Sequence, residues 1–191
     1  MRLKETINNI RTDYSRFANW KEAFASASFP VSFWFRIATY FKSNRFKIIY
    51  YPLYLISVII FKIHKLATGI QLPVGTKIGG GVKFFHYNCI IIAQSSIIGE
   101  NSSIHQGVTI GRVFNGPKAG CPTIGNNVVI FAGAKIIGNV HIGDHTVIGA
   151  NAVVTSSIPA NSVCVGVPAK IISDKSQGCF DKEWLKIFAF E

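Results

Sequence analysis

The sequence predicts a mainly β protein built around a parallel β-helix, with an α-helical segment before it and a short tail after it. Three observations predict this arrangement. An aliphatic residue recurs at every sixth position over most of the second part of the chain, and none of the 17 glycines precedes Gly69. Of the 24 aromatic residues, 15 lie within residues 1–70. We therefore divide the chain into a helical segment (1–68), a β-helix (69–172) and a C-terminal tail (173–191).

Composition and charge exclude two classes of protein. The chain has 191 residues and a net charge of +11, yet only 15% of its residues are charged and 49% are hydrophobic. Such a hydrophobic chain is not intrinsically disordered. Residues 1–70 have a net charge of +8 and residues 71–191 of +3, without a dense cluster of Lys and Arg. We therefore expect no nucleic-acid partner.

The cysteines and the N-terminal residues predict a cytoplasmic protein. Cys89, Cys121, Cys164 and Cys179 show no C-x-x-C spacing, and the first 20 residues are polar and mixed in charge, unlike a secretory signal. Reduced thiols are the expected state of these cysteines.

The helical segment predicts contact with a membrane surface. Residues 1–28 contain neither Gly nor Pro and have helical apolar spacing, which Pro30 then interrupts. Residues 23–66 contain no acid, and the longest uncharged stretch, 48–61, has 14 residues, short of the roughly 20 that a membrane span needs. We expect these helices to lie on an anionic membrane, at the inner face of the cytoplasmic membrane. Packing on the β-helix or on a sister subunit is the alternative.

The six-residue repeat predicts the β-helix. Its inward positions form three series: Leu72, Ile78, Phe84 and Ile90; Ile92, Ile98, Ile104 and Ile110; and Ile124, Ile130, Ile136, Ile142, Ile148 and Val154. A period of six fits neither an amphipathic helix nor an alternating strand, but it fits a coil of three short strands with one inward residue each. Coils stacked about 4.8 Å apart pair each strand with the one above it. The number of repeats predicts four to five coils.

The other positions of the repeat predict corners and two loops. The fourth residue after each inward position is small or β-branched, as a tight corner requires, and the first is often Gly, where we expect a positive φ. The repeat slips at Phe85–Ile90, which contains His86, and at Arg112–Thr123, which contains the turn residues Asn-Gly-Pro. Loops on a rigid scaffold are where we expect the functional site.

Two of the five histidines are candidate catalytic residues. Counted through the slip, His86 and His105 fall one coil apart on the same side of the β-helix, roughly 5 Å from each other. A neutral imidazole is the natural base for a hydroxyl group near neutral pH. We expect no metal site, because His141 and His145 lie on either side of a corner and no acid or cysteine completes a ligand set.

Six short strings in the β-helix carry a family resemblance. They are Lys77-Ile78-Gly79, Phe85-His86, Gln106-Gly107-Val108-Thr109-Ile110-Gly111, Pro122-Thr123-Ile124-Gly125, Ala132-Gly133-Ala134-Lys135 and Gly166-Val167-Pro168-Ala169-Lys170. In this order they resemble the hexapeptide-repeat acyltransferases, in the branch that contains serine O-acetyltransferases and capsule or exopolysaccharide O-acetyltransferases. Within that branch the motifs most resemble those of the capsule or exopolysaccharide enzymes. The resemblance implies a left-handed β-helix, acetyl-CoA as the acetyl donor, and a homotrimer with active sites between subunits.

The resemblance also implies roles for individual residues. His86 matches the general base that deprotonates the acceptor hydroxyl group. The positions that line the pantetheine arm and the nucleotide end of CoA are matched by small residues and one cation: Gly111, Ala132, Ala150 and Lys170. The residues expected near the acceptor are Gln71, Phe85, Asn88 and Cys121.

Three departures from the serine enzymes favour another acceptor. Phe85 and Gln71 stand where those enzymes carry an Asp, and Cys121 stands where they carry a second His. These changes remove groups that would bind an amino acid. We therefore expect a carbohydrate acceptor, a sugar hydroxyl of a capsular or exopolysaccharide, with serine as the alternative. A non-catalytic, membrane-tethered trimeric scaffold is the alternative from another class.

Overall fold

Within the described residues, 3–43 and 47–176 of the computed structural model, four α-helices precede fourteen short β-strands. The helices are α1 (Leu3–Tyr14), α2 (Trp20–Ala25), α3 (Ser28–Ser43) and α4 (Lys47–Thr68). The strands are β1 (Lys77–Ile78), β2 (Lys83–Phe85), β3 (Ile91–Ile92), β4 (Ile97–Ile98), β5 (Ser103–His105), β6 (Thr109–Gly111), β7 (Thr123–Ile124), β8 (Val129–Ile130), β9 (Lys135–Ile137), β10 (His141–Ile142), β11 (Val147–Ile148), β12 (Val153–Val154), β13 (Val163–Val165) and β14 (Lys170–Ser173). The predicted tail lies outside the described residues beyond residue 176.

Turn residues divide the helical segment into separate helices. The helical stretch predicted for residues 1–28 is interrupted at residues 15–19, where the side chain of Asn19 accepts a hydrogen bond from the backbone of Glu22 and begins α2. Pro30 lies in the first turn of α3, where its missing N–H costs nothing. The boundary predicted at this proline is therefore the start of a helix.

The strands stack into three sheets that follow one another around a coil. The first sheet has the order β1-β4-β7-β10, the second β2-β5-β8-β11-β13-β14 and the third β3-β6-β9-β12. All pairs are parallel except β13 with β14. This is the parallel β-helix of four to five coils that the repeat predicts. Its left-handed winding stays a prediction.

The inward positions of the repeat form the core, as predicted. Residues at one position of successive coils pair directly, as Ile78, Ile98, Ile124 and Ile142 do in the first sheet. Every residue of the three predicted series is at most 7% exposed. Ile90 is buried at a corner instead of on a strand, because the slip after Phe84 adds two residues to its coil.

The glycines that follow the inward positions have a different role from the predicted one. Their φ angles are not positive. A Cβ on Gly99 would lie 2.5 Å from the carbonyl carbon of Gly125, the equivalent residue one coil away. The coils therefore stack too closely at this point for any side chain. Several corner residues with a positive φ are instead asparagines, such as Asn127 and Asn151, which tolerate the left-handed region better than most side chains.

A buried ion pair joins the helical segment to the first coil. Arg36 Nε of α3 lies 3.1 Å from Asp13 Oδ2 of α1, and both side chains are 1% exposed. Asp13 Oδ1 also accepts a hydrogen bond from the backbone N–H of Gly81 at 2.8 Å. Arg36 donates to the carbonyl oxygens of Ile78 and Gly79. The helices therefore pack on the β-helix through a shared polar network.

Candidate functional site

His86 lies at the corner between the second and third sheets. It directly follows β2, its φ is 49°, and its side chain is exposed. Cys89, three residues on, also has a positive φ, of 52°. Such angles are uncommon for residues other than glycine. The two extra residues of the slip therefore form an irregular corner that carries His86.

His105 lies in the next coil, inside a stack of aromatic rings. The strand register pairs it with Phe85. Its ring lies between those of Phe85 and Phe131, at centroid distances of 4.8 Å and 5.0 Å. Nδ1 is 3.0 Å from the carbonyl oxygen of Ile130, so Nδ1 is the nitrogen that carries a proton in the neutral ring.

The surroundings of His105 favour its neutral form. Burial lowers the pKa of His105, and the nearby His86 lowers it further, while the hydrogen bond to Ile130 opposes both. The ring is 6% exposed. His105 therefore supports the corner from within the stack, whereas His86 faces solvent.

The corner that carries His86 continues along the β-helix. The register of β2, β5, β8 and β11 places Gln106, Ala132 and Ala150 at the position of His86 in successive coils. Three coil spacings, about 14 Å, separate His86 from Ala150. Lys170 begins β14, at the end of the second sheet farthest from β2. Three of the predicted site residues, His86, Ala132 and Ala150, therefore follow one corner, and Lys170 lies near its far end.

The remaining predicted residues lie in other places. Asn88 follows His86 by two residues, and both line a cleft next to the end of α4. Gln71 forms an isolated bridge at the first coil of the third sheet. Gly111 ends β6 and Cys121 precedes β7, so both lie at the corner between the third and first sheets. A single chain therefore does not bring all the candidates to one point.

Two clefts flank His86. The first, of about 760 Å³, lies between α2 with the turn before it, the start of α3, and β2, and Phe17, Glu22, Lys83 and Phe85 are among its lining residues. The second, of about 470 Å³, lies between the end of α4 and residues 86–88. Because His86 lines both, a molecule in either cleft could reach its imidazole.

Opposite charges meet in the first cleft. Lys83 Nζ lies 3.5 Å from Glu22 Oε1 and between the rings of Phe17 and Phe85, at 4.6 Å and 5.0 Å from their centroids. Burial lowers the pKa of Lys83, and Glu22 opposes this shift. Glu22 Oε2 accepts a hydrogen bond from the backbone N–H of Ala18 at the start of α2.

Sequence reasoning missed Glu22 as a residue of the site. Along the chain no acid lies near His86, since residues 23–99 contain none. The only signal that Glu22 gives in the sequence is that of a helix start, three residues after Asn19. Its contact with the cleft depends on how α2 packs against β2. No group of three His, Cys, Asp or Glu residues in the described part of the chain could hold a metal ion.

Comparisons with known proteins identify relatives of the β-helix. The family model "bacterial transferase hexapeptide (six repeats)" matches residues 121–156. A serine acetyltransferase of Helicobacter pylori strain J99 is 40% identical over 122 residues, which cover 63% of this chain and 70% of that enzyme. A serine acetyltransferase of Staphylococcus aureus strain Mu50 is 41% identical over 113 residues, which cover 59% of this chain and 53% of that enzyme. A serine acetyltransferase of Synechococcus elongatus is 37% identical over 108 residues, which cover 56% of this chain and 44% of that enzyme. The matched stretch thus spans from less than half to somewhat over two thirds of these relatives.

Solved structures extend the likeness to the helices. A serine acetyltransferase in complex with cysteine has a TM-score of 0.74 and 28% identity, covering 90% of this chain and 71% of that one. A serine acetyltransferase in complex with CoA has a TM-score of 0.73 and 26% identity, covering 89% and 71%. Because about nine tenths of the chain is covered, the superposition includes much of the helical segment.

These relatives overturn the predicted acceptor. All of them are serine acetyltransferases, so the prediction of a capsular or exopolysaccharide sugar hydroxyl is wrong, and the alternative acceptor, serine, is favoured. The prediction relied on the acids missing at Phe85 and Gln71 and on the histidine missing at Cys121. It considered only the β-helix, whereas the structure brings the carboxylate of Glu22 into the cleft beside His86 from α2.

Proposed function

Because the chain belongs to the hexapeptide-repeat acyltransferase family that includes the serine acetyltransferases, we propose that it transfers the acetyl group of acetyl-CoA to the hydroxyl group of serine. The observation that carries this proposal is the position of His86. It is exposed between two clefts, at one end of a corner lined by small residues. The similarity to a serine acetyltransferase that was solved with CoA supports the choice of donor.

In this proposal His86 is the general base. Its neutral imidazole takes the proton of the serine hydroxyl as that oxygen attacks the carbonyl carbon of the thioester. The C–S bond then breaks, and the CoA sulfur receives the proton from the imidazolium of His86. His105 acts as a positioning residue. Because its lowered pKa keeps it neutral, it does not repel the positive charge that forms on His86.

The corner below His86 suits the donor. Ala132 and Ala150 have small side chains at equivalent positions of successive coils, which leaves space for the thin pantetheine arm. Lys170, exposed at the far end, supplies a positive charge for the phosphates of CoA. In the trimer, Gly111 of a neighbouring chain lines the other side of the same pantetheine arm, from the corner between the third and first sheets.

The first cleft suits the acceptor. Glu22 supplies a carboxylate for the ammonium group of serine, in place of the acids that Phe85 and Gln71 replace. Lys83, already paired with Glu22, supplies a cation for the carboxylate of the amino acid. Both ends of serine thus find an opposite charge beside His86.

A homotrimer completes the proposed site. Gly111 and Cys121 lie at the corner between the third and first sheets, away from the corner that carries His86. When subunits pack around a threefold axis, one corner of each chain meets a different corner of the next. The distribution of the candidates over two corners therefore supports a trimer with active sites between subunits.

The decisive experiment follows acetyl transfer from acetyl-CoA to L-serine, by release of the CoA thiol and by mass spectrometry of O-acetylserine. We expect His86→Ala to lower kcat at least roughly 100-fold, as loss of a general base does. The matched control is His141→Ala, which removes an exposed histidine elsewhere in the β-helix and should keep the wild-type rate. Absence of O-acetylserine with the wild-type protein, or full activity of His86→Ala, would overturn the proposal.

A second experiment tests the acceptor cleft. Glu22→Gln keeps the shape of the side chain and removes its charge, so we expect KM for serine to rise about tenfold while KM for acetyl-CoA stays unchanged. An equal rise in both KM values would instead indicate a general loss of structure. An unchanged KM for serine would exclude Glu22 from acceptor binding.

A further inference from the structure

α4 exposes a continuous apolar stripe. Its members recur three or four residues apart, and they are between 48% and 77% exposed: Ile49, Leu53, Ile56, Ile59, Ile63 and Leu66. Residues at this spacing lie on one face of a helix. With a rise of 1.5 Å per residue, the α4 stripe is about 25 Å long. An apolar surface of this length on a protein usually marks a binding surface.

The opposite face of α4 is packed against the protein. Ser57, Phe61 and Thr68 are buried, and the ring of Phe61 lies 6.0 Å from that of Phe35 in α3. Among the described residues, one helix, residues 49–68 of α4, is long and apolar enough to cross a membrane by length and composition. If α4 crossed a membrane, it would lose its contact with α3, and α3 is held to the first coil by the hydrogen bonds of Arg36. The geometry therefore favours a helix that lies on a membrane over one that crosses it.

The charge around the α4 stripe indicates which partner fits. Residues 23–66 contain no acid, and residues 1–70 have a net charge of +8. Lys62 is exposed on α4 next to the stripe. A second copy of this surface would bring like charges together, whereas an anionic lipid surface complements them.

We propose that the α4 stripe binds the headgroup region of an anionic membrane, with the helix axis parallel to the bilayer. The isoleucines and leucines would enter the boundary between headgroups and acyl chains, and Lys62 would contact lipid phosphates. Leu66, the last residue of the stripe, also lines the second cleft beside His86. Binding would therefore bring the opening of that cleft close to the membrane. This proposal does not depend on the identity of the acetyl acceptor.

Co-sedimentation of the full chain with lipid vesicles tests the proposal. We expect binding to vesicles of phosphatidylcholine mixed with phosphatidylglycerol, and much weaker binding to phosphatidylcholine alone or at high salt. Ile59→Glu should weaken binding roughly tenfold or more, because it places a charge in the centre of the stripe. Lys62→Glu should weaken it as well. The matched control, Ile172→Glu, changes an equally exposed isoleucine of β14 and should bind like the wild type.

Three outcomes would overturn the proposal. One is equal binding of Ile59→Glu and the wild type. Another is that the wild type does not bind vesicles and that Ile59→Glu has a smaller mass than the wild type in light scattering. That result would show that the stripe binds a second copy of the chain. The third is protection of α4 from protease by sealed vesicles, which would indicate a span.

Ile59→Trp keeps the stripe apolar and should show fluorescence quenching by brominated lipids even if the glutamate variant does not fold. Acetyl transfer to soluble serine, measured in parallel, should be unchanged in Ile59→Glu, which separates this test from that of the proposed function.

Discussion

His105 links the candidate site to the stability of the β-helix. Burial lowers its pKa from 6.5, so the folded protein keeps the ring neutral at a pH where the unfolded chain already binds a proton. Since the unfolded state then binds more protons, stability is lost as the pH falls below 6.5. We expect the free energy of unfolding to decrease between about pH 7.5 and about pH 5.5, and His105→Gln to weaken that dependence. Urea unfolding at several pH values measures it.

The control for this prediction is His141→Gln, which changes an exposed histidine of β10. It should keep the wild-type dependence on pH. If His105→Gln also kept the full dependence, the ring would not be the group that links protonation to folding.

Single residues show where sequence reasoning succeeds and where it stops. The burial of Ile104 and Ile130 follows from the repeat, because each coil repeats the same local geometry. The role of Gly99 does not follow from the repeat, since its conformation is ordinary and the constraint comes from the backbone of Gly125 in the next coil. The place of Glu22 beside His86 depends on helix packing, which no local pattern encodes.

At the scale of elements, the stacking of coils predicts a steep cost for a methyl group. In Gly99→Ala the new Cβ would lie 2.5 Å from the backbone of Gly125, so the coils must separate. We expect a loss of about 2–4 kcal/mol in the free energy of unfolding. Gly116→Ala is the control, because nothing lies within 4 Å of its Cβ and only its φ of +88° is unfavourable. It should cost about 1 kcal/mol. Equal losses in urea unfolding would show that close stacking is not the constraint.

The junction between helices and β-helix predicts coupling between two residues. Removing one member of the buried pair, as in Asp13→Leu or Arg36→Met, leaves the other charge buried and should cost about 3–5 kcal/mol. The double variant should lose less than the sum, because neither member of the pair stays buried without the other. A double-mutant cycle from urea unfolding measures the coupling. Additive losses would mean that the two side chains act independently.

At the scale of the whole molecule, the chain divides into two regions with different chemistry. The sequence already shows this division, because glycine and the six-residue repeat begin near Gly69 whereas most aromatic residues and most of the positive charge precede it. What the sequence could not show is that the helical segment lines the cleft of His86, through Phe17 of the turn before α2 and Glu22 of α2. The residues of the β-helix alone therefore predict the fold and the family correctly but the acceptor wrongly.

The proposed trimer predicts that two inactive variants restore activity in a mixed assembly. His86→Ala removes the base from one corner, and Gly111→Trp blocks the other corner, where the new Cβ first meets the flexible end of Ile137. Each variant alone should be inactive, since every interface then lacks one half of the site. In random mixed trimers about one quarter of the interfaces combine an intact His86 with an intact Gly111 of the neighbour, and activity should return in that proportion. Light scattering checks that both variants form trimers. If the mixture stays inactive although mixed trimers form, His86 and Gly111 do not complete one site between neighbouring subunits.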